Sequence, residues 1–384
     1  MHQFDQRIME PGGEVPEGPL AGIAEAQGNQ LDIKNLLTSL VERSGSDLHL
    51  KVGQPPVFRI YGVLTRTEWP ALTLAQVHGL VSQIADPQRL QRLAENKELD
   101  MAYSVPGLAR FRVNIFYQKD QVGAVIRVIP IDIKTIEDLA LPEVTKKFAE
   151  LTSGLVLVTG PTGSGKSTTL AAIIDRINTT RKAHIITIED PIEFLHQDKV
   201  AAINQRELGA DTQSFASALK HVMRQNPDVI LVGELRDLET ISLALTAAET
   251  GPLVFATLHT TDSAQTIDRI VDVFPPEDQS RVRMQLANSL RAVISQTLVP
   301  SVTGGRVAAF EVLISHSGVK NLIREGKTHQ IYNLIQTGAS YGMQLLDQNL
   351  KKLLQDKVVS FDDAIAKASN PGDFEKSAPQ AGGY

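Results

Sequence analysis

The run from Gly160 to Thr168, GPTGSGKST, combines residue types and a spacing that suit phosphate binding. It matches the pattern G-x-x-x-x-G-K-[ST], directly after the apolar run GLVLVT and directly before a helical pattern. Glycines let backbone N–H groups approach a phosphate closely, and the N-terminus of the following helix adds partial positive charge. Lys166 would reach the β- and γ-phosphates of a nucleotide, and the Ser167 hydroxyl would bind Mg²⁺. The predicted nucleotide-binding residues are Gly160, Pro161, Thr162, Gly163, Ser164, Gly165, Lys166, Ser167 and Thr168.

Such a loop also needs a carboxylate at the end of a neighbouring strand to organise Mg²⁺ and water. The segment VILVGELRD supplies Glu234 directly after an apolar strand pattern. Asp237 is a second possibility, although the adjacent Arg236 could simply pair with it at the surface. Glu234 is therefore the predicted acidic partner of the phosphate loop and a predicted Mg²⁺ ligand, partly through water.

Three carboxylates, Glu189, Asp190 and Glu193, follow the apolar run HIITI. Beside a phosphate pocket they would repel a nucleotide unless Mg²⁺ or a polarised water is present. The cluster therefore suits hydrolysis, with one carboxylate acting as the general base for the attacking water. The alternative is a solvated acidic turn without a catalytic role.

His259 ends the apolar run LVFATL and is followed by Thr260, Thr261 and Asp262. An imidazole and hydroxyls at this position could detect the γ-phosphate and transmit its presence to the next element. A single histidine at a strand end is more often structural, so this alternative stays open.

Arg110 and Arg112 lie on one face of a predicted strand, because side chains alternate with a period of two. Arg127 follows on the next strand. Neighbouring arginines on one face need an anion or carboxylates to compensate their charge. They could reach a nucleotide held by the other domain or by a neighbouring subunit and stabilise transition-state charge. The alternative is a pair of ordinary surface arginines.

The elements that must position these residues follow from hydrophobic patterning. Short apolar runs typical of strands buried on both faces alternate with helical patterns, which predicts a parallel α/β sheet. The predicted strands are 154–159, 184–188, 229–232 and 253–257, and the predicted helices are 167–178, 214–225 and 238–250. After Pro275 the spacing of Leu286, Leu290 and Val293 predicts that the pattern becomes helical.

The preceding part of the chain reads as a separate mixed α+β domain. Its predicted strands are 47–51, 57–64, 101–104, 109–116 and 122–129, with helices at 31–41, 74–84 and 87–96. The predicted organisation is a disordered acidic tail (1–30), this N-terminal domain (31–130), a linker with a short helix (131–151), the α/β domain with C-terminal helices (152–369) and a second disordered tail (370–384).

Composition limits the class of protein. The chain has 384 residues, enough for two domains, and no cysteine, which excludes disulfides, thiolate metal sites and a cysteine nucleophile. The net charge of −6 argues weakly against nonspecific nucleic-acid binding, and no nucleic-acid partner is expected. No segment has the length and hydropathy of a signal peptide or a membrane span, so we expect a soluble, cytoplasmic protein.

Four segments in this order and spacing resemble the secretion ATPase superfamily of type II secretion and type IV pili: GPTGSGKSTT, TIEDPIEF, RQNPDVILVGELRD and AAETGPLVFATLHTTD. SDLHLKVGQPP and NLIREGKTHQIYNLIQTGASYGMQLLDQNL look like its PilT-type retraction ATPases. The resemblance covers about residues 31–368. It implies a ring-shaped hexamer with a PAS-like N-terminal domain and a RecA-like ATPase domain, hydrolysing ATP at subunit interfaces to drive pilus depolymerisation against an inner-membrane platform protein.

The resemblance also implies roles for individual residues. Residues 160–168 match the Walker A loop, Glu234 the Walker B carboxylate, Glu193 the base in the family's Asp box and His259 the His box. Arg110, Arg112 and Arg127 match arginines that contact nucleotide across the ring.

Two departures from the family pattern stand out. Pro252 replaces a usual histidine of the His box, which puts sensing or coupling through that position in doubt. Residues 318–320 replace the first three residues of the family's retraction motif, whereas 321–325 are intact.

Together these features predict a homohexameric ATPase using ATP and Mg²⁺ to power type IV pilus retraction and twitching motility. It would be cytoplasmic at the inner face of the inner membrane, with only peripheral membrane association and the pilus platform protein as partner. The alternatives are a pilus-assembly or type II secretion ATPase, an accessory retraction ATPase, and a nucleotide-gated scaffold with little turnover. The relatives that assemble pili usually carry a longer N-terminal region and often a four-cysteine zinc module, whereas this chain has 384 residues and no cysteine.

Overall fold

The computed structural model describes residues 31–129 and 133–377. Contacts divide the chain into two compact units, with the boundary after Ile129. The predicted acidic tail 1–30 and the last residues, 378–384, lie outside the described residues. The two units are described separately below.

The first unit is built on an antiparallel sheet, as predicted for an α+β domain. Its elements are α1 (Ile33–Glu42), β1 (Gly45–Leu50), β2 (Val57–Ile60), β3 (Val63–Arg66), α2 (Leu74–Ser82), α3 (Pro87–Asn96), β4 (Glu98–Val105), β5 (Ala109–Gln118) and β6 (Gln121–Ile129). The strand order is β3-β2-β1-β6-β5-β4. The single strand predicted over 57–64 is two strands, because the chain turns at Tyr61 and Gly62, both with positive φ.

Alternation along β5 decides which side chains reach the core of this unit. Phe111 and Val113 are fully buried, whereas Arg112 between them is exposed. The buried residues pack with α1, whose Leu37 and Leu40 face the sheet. The period of two therefore directs the arginines of β5 away from the core, as the sequence predicts.

The second unit contains a seven-stranded sheet covered by helices. Its strands are β7 (Gly154–Thr159), β8 (His184–Glu189), β9 (Ala202–Glu207), β10 (Val229–Val232), β11 (Leu253–Leu258), β12 (Leu290–Pro300) and β13 (Arg306–Ile314). Its helices are α4 (Val144–Glu150), α5 (Lys166–Thr180), α6 (Phe215–Val222), α7 (Leu238–Thr250), α8 (Ser263–Asp272), α9 (Pro276–Ser289), α10 (Ser317–Glu325), α11 (Ile331–Thr337), α12 (Leu346–Gln355), α13 (Phe361–Ile365) and α14 (Pro371–Ser377), with 3₁₀ turns at Thr328–Gln330 and Ala339–Tyr341.

The order of this sheet is β13-β12-β7-β11-β10-β8-β9, and all neighbours are parallel except β12 and β13. Helices α4 and α5 cover one face, and α6 to α11 cover the other. Strands β7, β10 and β11 are buried along their whole length, which explains their uninterrupted apolar sequences. Parallel strands place their carboxyl ends at one edge of the sheet, so the loops after β7, β8, β10 and β11 converge there.

Two sequence predictions for this unit are wrong. Leu290 and Val293 lie at the start of β12, in the β12–β13 hairpin, rather than in a continued helix. Strand β12 pairs with β7 inside the sheet. The prediction failed because a buried strand and a buried helix have similar apolar sequences. The segment 131–151, predicted as a linker with a short helix, contains α4, and Phe148 of this helix packs in the core. The tail predicted to be disordered from residue 370 contains α14, whose Phe374 is fully buried.

Candidate functional site

The phosphate loop connects β7 to α5 at the edge where the strand ends converge. Gly160, Gly163 and Gly165 have φ values of 137°, 77° and 91°, a region that residues with a Cβ rarely adopt. Helix α5 begins at Lys166, so its first N–H groups face the loop. The loop therefore needs glycine at these positions because of its backbone conformation, and the sequence pattern requires two of them, Gly160 and Gly165.

Lys166 folds back over its own loop. Its Nζ donates to the carbonyl oxygens of Gly160, at 2.8 Å, and of Pro161, at 3.2 Å. Burial lowers the pKa of Lys166, and the negative charges of Glu234 and Glu193 act in the opposite direction. Both predicted carboxylates are thus close enough to Lys166 to affect its pKa.

Ser167 and Thr168 lie in the first turn of α5. Ser167 lines a cavity of about 40 Å³ together with Glu189, His196 and Thr257, which leaves room for ordered water. Burial lowers the pKa of His196 to about 4, so this histidine is neutral at pH 7.

Glu234 follows β10 and is engaged by two side chains. Its Oε1 lies 2.9 Å from His259 Nε2, and its Oε2 lies 2.8 Å from Arg236 Nη2. Burial raises the pKa of Glu234, but the contacts with Arg236 and His259 outweigh this effect and hold the pKa below its ordinary value. Two residues predicted from separate strands, Glu234 and His259, are therefore brought together.

Asp237, the second possibility for the acidic role, caps α7. Its Oδ1 accepts from the backbone N–H of Thr240 and its Oδ2 from the Thr240 hydroxyl, both at 2.8 Å. Arg236 pairs with Glu234 instead of Asp237, contrary to the surface pairing considered from sequence. Asp237 therefore has a structural role at a helix N-terminus.

The acidic cluster separates into different environments. Glu189 is half-buried at the end of β8, and its Oε1 accepts from the Thr187 hydroxyl at 2.6 Å and from Gln205 Nε2 at 3.2 Å. Burial raises its pKa, although these hydrogen bonds oppose the shift. Glu193 is exposed, and Asp190 lies 3.7 Å from Arg236. Of the three, Glu193 combines solvent access with an electrostatic effect on Lys166.

The segment after His259 is fixed by hydrogen bonds that sequence reasoning missed. Asp262 caps α8 by accepting from Gln265 N. The next residue, Ser263, donates its N–H and its hydroxyl to Glu311 Oε1 at 2.8 and 2.7 Å. Burial raises the pKa of Glu311. Glu311 lies on β13, within a segment predicted as helical, so no sequence signal linked it to the site.

Pro252 lies at the opposite end of β11 from His259. Its carbonyl accepts from Gly154 N, at the start of β7. At the rise of an extended strand, residues 252 and 259 are about 23 Å apart. Within this unit, the position where the family usually has a second histidine is therefore remote from Glu234.

The three arginines lie on the sheet of the first unit. Arg127 Nε donates to Asp47 Oδ1 at 2.8 Å, and Arg59 lies 3.5 Å from the same carboxylate, which is almost fully buried. Burial raises the pKa of Asp47, but bonds from Ser46 and Arg127 lower it overall. Asp47 is a compensating carboxylate that the sequence did not reveal. Arg112 on β5 and Arg127 on β6 are both exposed, whereas Arg110 is partly buried.

The phosphate loop is also held from β12. The hydroxyls of Thr159 and Ser295 are 2.8 Å apart, and Gln296 Nε2 donates to the carbonyl oxygen of Ser164 at 2.7 Å. Both contacts are buried. They were missed because β12 was predicted to be helical.

A magnesium ion fits the residues present. Within residues 31–129 and 133–377, no group of three or more His, Asp or Glu side chains is arranged to hold a metal by itself. Mg²⁺ is commonly bound through one or two protein oxygens, with substrate phosphates and waters completing its shell. One hydroxyl, Ser167, and one carboxylate, Glu234, beside a phosphate loop provide such a donor set.

A parallel sheet with this loop between β7 and α5, and with Glu234 and His259 at neighbouring strand ends, defines a RecA-like P-loop protein with an N-terminal α+β domain. The chain belongs to the family described as Type II/IV secretion system protein, whose model matches residues 25–365. The predicted fold class and family resemblance are thereby confirmed.

Relatives cover most of the chain. It is 52% identical over 344 residues to the type IV pilus retraction ATPase PilT of Pseudomonas aeruginosa, covering 90% of this chain and all of the relative. It is 42% identical over 346 residues to the type IV pilus ATPase PilU of the same organism, covering 90% of each. A crystal structure of the pilus retraction motor PilT with bound ADP has a TM-score of 0.85 and 44% identity, covering 90% of this chain and 99% of that one.

None of the helices in the described ranges combines the length and the apolar character needed to cross a membrane.

Proposed function

We propose that this protein is an ATPase motor that powers type IV pilus retraction. The observation that carries the proposal is the contact of Glu234 with His259 at the sheet edge that also presents Lys166. This arrangement is combined with 52% identity to a pilus retraction ATPase over that relative's whole length. The site supports the reaction, and the relative supports its mechanical use.

In this proposal each residue has a defined task. Residues 160–168 bind the phosphates through backbone N–H groups, and Lys166 exchanges its bonds to the Gly160 and Pro161 carbonyls for phosphate oxygens. Mg²⁺, when bound through Ser167 and Glu234, neutralises charge that develops on the phosphates. Glu193, exposed to solvent, accepts a proton from the attacking water.

His259 links the reaction to the rest of the unit. Because it contacts Glu234, a change in the partners of that carboxylate would alter the position of the imidazole. The chain after His259 is anchored through Ser263 to Glu311 on β13. Movement of His259 would therefore be transmitted to α8 and the C-terminal hairpin.

We infer the assembly from the same family relationship. Six copies would form a ring in the cytoplasm, at the inner face of the inner membrane, where the platform protein of the pilus is the partner. Arg110, Arg112 and Arg127 of one subunit would approach the nucleotide of its neighbour and stabilise transition-state charge. Arg112, exposed and on the same sheet as Arg127, is the first candidate.

One alternative has a specific observation in its favour. The 42% identity to PilU suits an accessory retraction ATPase that works beside a principal motor. Deleting the coding region tests both ideas. Excess pili that do not retract, with loss of twitching, would support a principal motor. Normal twitching would favour the accessory role, and cells without pili would support assembly.

The enzymatic part is tested with purified protein. We expect Lys166→Ala to reduce phosphate release from ATP to background while leaving the circular dichroism spectrum unchanged, because Lys166 contributes phosphate contact rather than core packing. Lys147→Ala, an exposed lysine near the end of α4, is the matched control and should retain full turnover. Normal hydrolysis by Lys166→Ala would refute the site assignment, and negligible hydrolysis by the native protein would favour the nucleotide-gated scaffold.

A further inference from the structure

We propose that Gln296 on β12 is a positioning residue that holds the phosphate loop in its binding conformation. The inference rests on the proposed nucleotide site and assigns a role to a residue outside the loop, the Asp box and the His box. Its side-chain amide spans from β12 to the loop and donates to the Ser164 carbonyl at 2.7 Å.

The backbone of Gln296 also defines the space available to the loop. A Cβ added to Gly160 would lie 2.2 Å from the Gln296 carbonyl oxygen, a distance that atoms do not tolerate. A Cβ added to Gly165 would lie 3.1 Å from Gln296 Nε2. Two glycines of the loop therefore pack against this one residue, so their need for glycine arises from contact with β12 as well as from φ.

The register between β12 and β7 places Gln296 beside the start of the phosphate loop. Ser295 pairs with Thr159, the last residue of β7, and their hydroxyls are hydrogen-bonded. Gln296 is thus the first residue of β12 beyond the end of β7, level with the start of the loop. Both strands belong to the same sheet, so the amide is attached to a rigid element rather than to another loop.

The side-chain oxygen of Gln296, Oε1, indicates that the amide is not present for stability alone. Only 3% of the residue is exposed, and no hydrogen-bond partner of its Oε1 occurs within the described part of the chain. A buried acceptor without a partner is unfavourable, and an apolar side chain of the same shape would avoid that cost. The contact that requires an amide is the bond to the Ser164 carbonyl.

This bond orients the peptide that joins Ser164 to Gly165. When the carbonyl oxygen points toward Gln296, the N–H of Gly165 points in the opposite direction, because the peptide is planar and trans. Loss of the amide would free this peptide to rotate, and the loop would have to reorder on each binding event. The expected effect is therefore on nucleotide affinity more than on folding.

The test compares two glutamines that make the same kind of bond. Gln296→Met keeps the volume and removes the donor. Gln344→Met is the matched control, because Gln344 Nε2 donates to the carbonyl of Phe310, the β13 residue that pairs with Gln296. This change perturbs the same hairpin without removing the donor to the phosphate loop. For each purified protein we would measure the Kd for ADP by calorimetry, kcat and KM for ATP, and the melting temperature without nucleotide.

We expect Gln296→Met to bind ADP about tenfold more weakly and to raise KM by a similar factor. Its melting temperature should change little, because loss of one bond and removal of an unpaired acceptor oppose one another. Gln344→Met should keep the native Kd and KM whatever its melting temperature. Native ADP affinity in Gln296→Met, or equal weakening in both variants, would overturn the proposal.

A second variant covers the case in which Gln296→Met folds poorly. Gln296→Glu has the same shape but presents a carboxylate to the Ser164 carbonyl, so binding should be weaker still at neutral pH. ADP affinity equal to that of the native protein would also overturn the proposal. Lys166→Ala, measured in parallel, separates the two ideas: unchanged nucleotide binding in that variant would count against the nucleotide site itself.

Discussion

Glu189 and Glu193 lie four residues apart, yet their surroundings suit them to different tasks. Glu189 is half-buried and accepts hydrogen bonds from Thr187 and Gln205, whereas Glu193 is exposed and acts to raise the pKa of Lys166. A base for water needs solvent access and an ionised carboxylate. We therefore propose Glu193 as the base and Glu189 as a residue that supports the loop after β8.

We predict that Glu193→Gln lowers kcat for ATP hydrolysis at least about a hundredfold, because the amide cannot accept the proton of water. Nucleotide affinity and melting temperature should remain near the native values, since the residue is exposed. Phosphate release, ADP calorimetry and thermal unfolding measure the three quantities. Glu277→Gln, an exposed carboxylate on α9, is the control. Retention of native kcat would show that another group serves as base.

A second residue-scale prediction concerns pH. Burial raises the pKa of Glu189 above its ordinary 4.5, so this carboxyl binds its proton more tightly in the folded chain than in the unfolded chain. Its contribution to the free energy of unfolding therefore decreases as pH rises above 4.5 toward the folded pKa. Glu189→Gln removes this titration, so the melting temperature of the variant relative to the native protein should increase as pH rises above 4.5. A difference that is constant or decreases with pH would contradict it.

The residues that could be predicted from sequence are those whose spacing is local. The glycines and Lys166 lie within one nine-residue run, and Glu234 and His259 each follow an apolar strand. Gln296, Glu311 and Asp47 were missed because each acts on a residue far away in sequence: 132 positions separate Gln296 from Ser164. A single sequence carries no local pattern for such contacts.

At the scale of elements, burial explains which predictions succeeded. Strands β7 and β10 and helix α7 have the predicted bounds, since short apolar runs bounded by turn residues are typical of central parallel strands. Strands β12 and β13 were missed because their polar positions, such as Ser295, Gln296 and Glu311, face other elements rather than solvent. Their sequence therefore lacks the alternation that indicates a strand.

The cap of α7 gives a prediction that separates stability from catalysis. We expect Asp237→Ala to lower the free energy of unfolding by about 1 kcal/mol, because it leaves the N–H of Thr240 without its acceptor. The loss should shift the melting temperature by about 2–4 °C. Asp237→Asn preserves the acceptor and is the matched control. Turnover per folded molecule should be native in both variants. Loss of turnover in Asp237→Asn without loss of stability would instead indicate a catalytic carboxylate.

For the whole molecule, the predicted site residues are divided between the two units. The phosphate loop, Glu234 and Glu193 belong to the second unit, and the arginines belong to the first. In a ring of identical subunits, a site that takes its arginine from a neighbour has its components on two different chains. This organisation would make each hydrolysis event depend on the orientation of an adjacent subunit.

Mixed assemblies test this organisation. We expect Arg112→Ala and Lys166→Ala each to lower turnover at least about a hundredfold when present alone. When the two variants are co-expressed in equal amounts and purified through separate tags, about a quarter of the interfaces combine an intact Lys166 with an intact Arg112 from the neighbour. Turnover should recover toward about a quarter of the native rate if those interfaces act independently.

The control pairs Lys166→Ala with Glu234→Gln. Both changes lie in the second unit, so each loop with an intact Lys166 is on the same chain as the altered Glu234, and no mixture can restore a complete site. Recovery in the first mixture but not in the second would place the arginine on the neighbouring subunit. Absence of recovery in the first mixture, with assembly verified by light scattering, would mean that Arg112 acts within its own chain or outside the reaction. The geometry of the ring would then have to couple subunits through a contact other than this arginine.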